Sequence, residues 1–204
     1  MTNVNPWLTG PEETIEVQQP ATPSTRRSLH GATAPQPGVP VPDIADRLPR
    51  RAAPWPATMW WLGVHGGAGE STLATLAAGS RPAGHAWPLP SANVTANHVV
   101  LVARTNYSGL AAAQRAATEW AANTLPPGVA LAGLVLISDA PGRLPKPLRD
   151  FQHVVAGGVP RVWHLPWVEA WRLAPPTPSD PLPKELRQLF TDLSLTSSSS
   201  PAQN

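Results

Sequence analysis

An apolar run, a glycine-rich turn and a helix follow one another without a gap at residues 61–74, WLGVHGGAGESTLA. The apolar run, MWWLGV at 59–64, suits a strand buried on both faces. Gly66, Gly67 and Gly69 let the backbone curl so that successive N–H groups point inward. Residues 70–78 then put Leu73, Leu76 and Ala77 on one helical face, with Gly79 as the stop. Strand, curled turn and helix N-terminus together form a setting in which backbone amides and the helix dipole can receive an anion.

The pattern continues as alternating strands and helices. Residues 98–104 (HVVLVAR), 129–138 (VALAGLVLIS) and 161–165 (RVWHL) read as further buried strands, and a weaker strand is expected near 85–89. Residues 109–123 read as a helix with Leu110, Ala113, Ala117, Trp120 and Ala121 on one face, and 146–153 as a short helix. Fully apolar strands separated by helices imply an α/β domain over 57–173. Its mostly parallel sheet of about four to five strands would be covered on both faces.

Proline marks the expected boundaries. The 204 residues include 27 prolines, eleven of them before residue 57. That composition argues for a disordered region over 1–56, since little apolar surface offsets the entropy of ordering it. Residues 174–181 (APPTPSDP) read as a stiff linker. Leu182, Leu186, Leu189, Phe190 and Leu193 make 182–194 an amphipathic helix, open to docking on its own domain or in a partner's groove. The Ser-rich end, 195–204, reads as a disordered tail, and the acidic stretch 12–16 (EETIE) as a short recognition motif. No apolar stretch is long enough to span a bilayer, and the first residues lack the features of a secretory signal. The chain has no cysteine, which suits a reducing cytoplasm.

The turn His65-Gly66-Gly67-Ala68-Gly69-Glu70-Ser71-Thr72 resembles the phosphate loop of the ParA/MinD-like branch of P-loop ATPases, which reads Lys-Gly-Gly-x-Gly-Lys-Ser/Thr-Thr. The three glycines and the Ser-Thr pair match. His65 stands where that family has its signature lysine, and Glu70 where it has the lysine that grips the β- and γ-phosphates. The order of elements over 58–172 is also similar, including the loop 105–110 (TNYSGL) and the strand ending at Pro166. The block resembles an uncharacterised actinobacterial family of short ParA-like proteins as well. The resemblance implies a three-layer P-loop NTPase-like sheet. It also implies ATP with Mg²⁺ as cofactor, held by Gly66, Gly67, Ala68, Gly69, Glu70, Ser71 and Thr72, and a possible homodimer meeting across the loop. Ser71 would supply a Mg²⁺ ligand and Asp139 a second; Asp139 is also the one candidate catalytic residue. Its setting, Asp139-Ala-Pro-Gly142, resembles the Asp-x-Pro-Gly segment of GTPases but falls one strand late, and Pro141-Gly142 equally fits a plain turn.

The lost lysine sets the functional expectation. Two unit charges ~4 Å apart interact by about 4 kcal/mol at an effective dielectric near 20. A glutamate in that place would repel each nearby phosphate charge instead of attracting it. Glu70 can instead complement the helix dipole and fill the cradle with its own carboxylate. The leading expectation is therefore a non-catalytic P-loop-like scaffold or adaptor for a protein partner, without a bound cofactor; were the loop active, it would be an ATPase. One alternative is a nucleotide-binding switch with slow or no hydrolysis. The other is a DNA-associated accessory protein of a plasmid or integrative element, using Arg143, Lys146, Arg149 and Arg161 for weak non-specific DNA contact. A net charge of +2 falls short of a dedicated nucleic-acid binder. Six scattered histidines without cysteine argue against a zinc site, and no Gly-x-Ser-x-Gly elbow supports a hydrolase triad. Most of the nine tryptophans should be core, leaving a few for an aromatic partner patch.

Overall fold

The computed structural model describes residues 31–91 and 94–198. The main sheet has five parallel strands in the order β3-β2-β5-β6-β7: β2 (Trp60–Gly63), β3 (Arg81–Pro82), β5 (Asn97–Arg104), β6 (Val129–Ile137) and β7 (Val162–Leu165). A separate parallel pair joins β1 (Arg50–Ala52) to β4 (Trp87–Leu89). The weak strand expected near 85–89 is β4, paired outside the main sheet.

Alternation along each strand sorts side chains into two cores. Leu62, Val99, Leu101, Leu134 and Leu136 face helices α2 (Tyr107–Ala121) and α3 (Lys146–Gly157). Trp61, Val100, Val102, Val135 and Ile137 face α1 (Glu70–Leu76) and α5 (Lys184–Asp192). A register shift between Val99 and Val100 keeps both alternations in phase across β5 and β6. The short α4 (Ala170–Leu173) follows β7. No helix among the described residues is long and apolar enough to cross a membrane.

The chain runs from β2 through α1 to β3 on one side, then returns to place β5, β6 and β7 on the other. Successive strands therefore diverge at the C-terminal ends of β2 and β5. In open α/β sheets that switch point leaves a crevice where ligands bind.

Two expected boundaries move. Residues 31–56 are not a loose tail but a strap laid over the α2–α3 face. Ala32 N–H donates to Gly157 O at 3.0 Å, Gln36 N–H to Ala121 O at 2.9 Å, and Leu48 N–H to the Glu119 carboxylate at 3.1 Å. Proline restricts the backbone of such a segment in the unfolded chain too, so less freedom is lost when it docks. Residues 1–30, with the acidic stretch 12–16, lie outside the described residues.

At the other end α5 docks on its own domain. Leu186, Leu189 and Phe190 are buried, each contributing roughly 1.5–3 kcal/mol. Asp192 closes the contact, accepting from Trp163 Nε1 at 2.9 Å and pairing with Arg161. Burial pushes the Asp192 carboxyl up, but the Trp163 and Gln188 hydrogen bonds and the Arg161 guanidinium outweigh it and hold it below its usual value. Beyond α5, residues 195–198 of the expected tail pair with the end of α1. Ala78 N–H donates to Thr196 O at 2.9 Å and Ser198 N–H to Leu76 O at 3.0 Å.

Candidate functional site

The glycine turn lies at the switch point, between the end of β2 and the start of α1. Gly67 and Gly69 adopt φ of 72° and 107°, which a side chain would strain. A Cβ on Gly66 or Gly67 would meet nothing within 4 Å, so the outer surface of the turn is open. Ala68 N–H donates to His65 O at 3.3 Å. Among the described residues, the N–H groups of Gly66, Gly67, Gly69, Glu70, Ser71 and Thr72 have no acceptor. These amides are therefore not used within the chain.

Glu70 does not engage these amides. Its carboxylate turns back to the end of β2, where Oε2 accepts from Gly63 N–H at 2.7 Å. Glu70 is 7% exposed. The reason lies in the sheet. The short edge strand β3 contributes its last ladder bond from Ala83 N–H to Trp61 O, and the chain then turns away at Gly84 and His85. Gly63 would be left with an unpaired N–H and C=O on that side. Glu70 takes the N–H, and His85 Nδ1 lies 2.7 Å from Gly63 O. A carbonyl can only accept, so Nδ1 carries the hydrogen. His85 Nε2 stands 3.6 Å from Glu70 Oε1, closing a three-residue clamp. A Cβ on Gly63 would lie 3.1 Å from Glu70 Cδ and Oε2 and from His85 Cε1, so only glycine leaves the clamp undisturbed. The expectation that the carboxylate fills the phosphate cradle is therefore corrected. It completes a truncated β-ladder instead.

His65 does similar work on the other side of β2. Its Nε2 accepts from Arg104 N–H at 3.0 Å, and its Nδ1 reaches Gly66 O at 2.8 Å. Both ring nitrogens are thus engaged within the chain, which leaves His65 unsuited to the reach of a signature lysine.

Arg104, at the end of β5, is the residue that sequence reasoning missed. Its Nε donates to Gly67 O at 3.2 Å and its Nη1 to Ser138 O at 3.1 Å. A guanidinium group therefore lies against the turn, brought there from the strand next to β2. The signal was the arginine ending that strand, but its relevance depends on knowing that β5 neighbours β2.

The remaining candidates come from two elements. Ser71 is exposed and Thr72 half-buried at the start of α1. Asp139 is exposed beyond β6, its N–H held by Thr105 Oγ1 at 3.1 Å. No contact joins Asp139 to Ser71 among the described residues, and no group of three His, Asp or Glu there could hold a metal. The proposed basic edge is also divided. Lys146 pairs with Asp150 at 2.7 Å, while Arg161 points to Asp192 and Trp163.

A family model described as a family of unknown function (DUF6668) matches residues 57–189. The chain belongs to this family. The DUF6668 match takes in the whole five-stranded sheet, the glycine turn, Glu70, His85 and Arg104, and ends inside α5. The strap at 31–56 precedes it. No curated protein and no solved structure matches the chain.

Proposed function

We propose that this DUF6668 domain is a P-loop-like scaffold that does not turn over nucleotide and acts as an adaptor for a protein partner. The observation that carries the reading is the bond from Gly63 N–H to the Glu70 carboxylate at 2.7 Å. In the ParA/MinD-like pattern a lysine at this place reaches over the turn to the transferring phosphate. Here the side chain at this position folds under the turn, carries the opposite charge and is needed by the sheet. Residues 65–72 hold no lysine to grip a phosphate.

Calorimetric titration with Mg-ATP and with Mg-GTP tests this reading. The scaffold predicts no saturable heat at micromolar to millimolar nucleotide, and micromolar binding of either would overturn it.

One observation favours a second reading, a nucleotide-binding switch with slow or no hydrolysis. The unspent amides of residues 66–72 and the Arg104 guanidinium provide donors and charge on the open side of the turn. On that reading an Arg104→Ala substitution abolishes the nucleotide heat that the native chain would give.

A further inference from the structure

One stretch of the chain, which includes the glycine turn, is rich in cations and poor in carboxylates. Between Arg47 and Asn97 the sequence holds Arg47, Arg50, Arg51, Arg81, His65 and His85, but a single carboxylate, Glu70, which is buried. Arg51 and Arg81 are exposed on β1 and β3. Their guanidinium groups are held by main-chain carbonyls: Arg51 Nη1 by Gly84 O at 3.5 Å and Arg81 Nε by Pro56 O at 3.2 Å. Carbonyl contacts fix a guanidinium group without cancelling its charge. Glu119 lies buried 3.6 Å from Arg50, and Asp46 pairs with Arg115 at 3.5 Å.

Trp55 stands in the same place. It adjoins Pro56, the acceptor of the Arg81 bond, and is four residues from Arg51. It is 63% exposed, whereas Trp60, Trp61, Trp87, Trp120 and Trp163 are buried. Pro54 and Pro56 on either side restrict its backbone. An exposed tryptophan next to Pro56, with Arg81 bonded to that residue's carbonyl, sets aromatic surface beside a guanidinium group. An acidic peptide would use the cations but has no need of the ring, whereas an unpaired base with its flanking phosphates uses both.

We propose that Trp55, Arg51 and Arg81 form a docking surface for single-stranded nucleic acid, with one unpaired base stacked on the indole and the guanidinium groups on neighbouring phosphates. This inference is independent of the glycine turn and of the adaptor reading.

Fluorescence anisotropy of a labelled oligothymidylate with the full chain, over a salt series, tests it. Trp55→Ala weakens binding about tenfold at fixed salt, and Trp55→Phe retains most of it. Arg51→Gln with Arg81→Gln lowers the slope of log affinity against log salt by about 1.4, the value for two phosphate contacts on a single strand. Arg143→Gln with Arg149→Gln changes neither. All these positions are exposed, and an unchanged thermal midpoint confirms that each variant is folded. Equal binding by Trp55→Ala and the native chain overturns the proposal, as does equally tight binding of a duplex of the same length. Competition by poly-glutamate as strong as that by unlabelled oligonucleotide also overturns it, in favour of an acidic protein partner.

Discussion

Two buried glutamates hold this molecule together in related ways, at opposite ends of the sequence-to-structure problem. Glu70 accepts from Gly63 N–H and faces the His85 ring. Glu119 accepts from Leu48 N–H and from Trp87 Nε1 at 2.9 Å, with Arg50 alongside. Each satisfies a main-chain amide that no strand reaches and adds a ring nitrogen from a distant segment. They differ in reach and in cover. Glu70 bonds an amide seven residues away and is 7% exposed; Glu119 bonds one 71 residues away and is 0% exposed. Glu70 finishes a local turn, whereas Glu119 fastens the whole strap to α2. A buried carboxylate is thus evidence of backbone satisfaction first and of chemistry second, and Glu70 belongs to the first kind despite its place in a glycine-rich turn.

Substitution separates the two. Glu119→Ala leaves the Leu48 amide, the Trp87 indole and Arg50 without their shared acceptor, and chemical denaturation should show a loss of about 3 kcal/mol or more. Glu70→Ala strands the Gly63 amide, for a loss of about 1.5–3 kcal/mol by the same assay. If the Glu70 substitution cost more than the Glu119 one, the turn rather than the strap would be the more critical fastening. Gly63→Ala should cost about 1–2 kcal/mol by pushing Glu70 and His85 apart, and should add little on top of Glu70→Ala, because both disrupt one clamp.

A third carboxylate, Asp192, extends the comparison to acid. Its folded value lies below the ordinary carboxylate value, so its contribution is fully present above about pH 4 and is lost as pH falls through the folded value. Hydrogen-exchange protection over 184–192, taken relative to the intrinsic amide rate at each pH, should therefore fall below about pH 4, and Asp192→Asn should flatten that dependence.

Much of the fold was legible because apolar runs report strands directly. The residues of β2, β5 and β6 are almost continuously apolar, and the Leu and Ala spacing marked α1 and α2. The strap was not legible. Its prolines read as disorder, and the groups that hold it, Gly157, Ala121 and Glu119, lie far along the chain. In the site, the glycines and their open amides could be anticipated from residue type. The direction of Glu70 could not, because it depends on β3 ending two residues after it begins. Arg104 was likewise hidden, since sequence order does not say which strand end lies beside the turn.

The central claim is that Glu70 belongs to the sheet and not to a phosphate. A backbone amide NMR spectrum of the native chain, titrated with Mg-ATP, tests it most directly. The Gly63 amide should sit at low field, as a short bond to a carboxylate requires, and neither it nor the amides of residues 66–72 should move. Saturable shifts of those amides, with Gly63 leaving its low-field position as Glu70 swings free, would contradict the account.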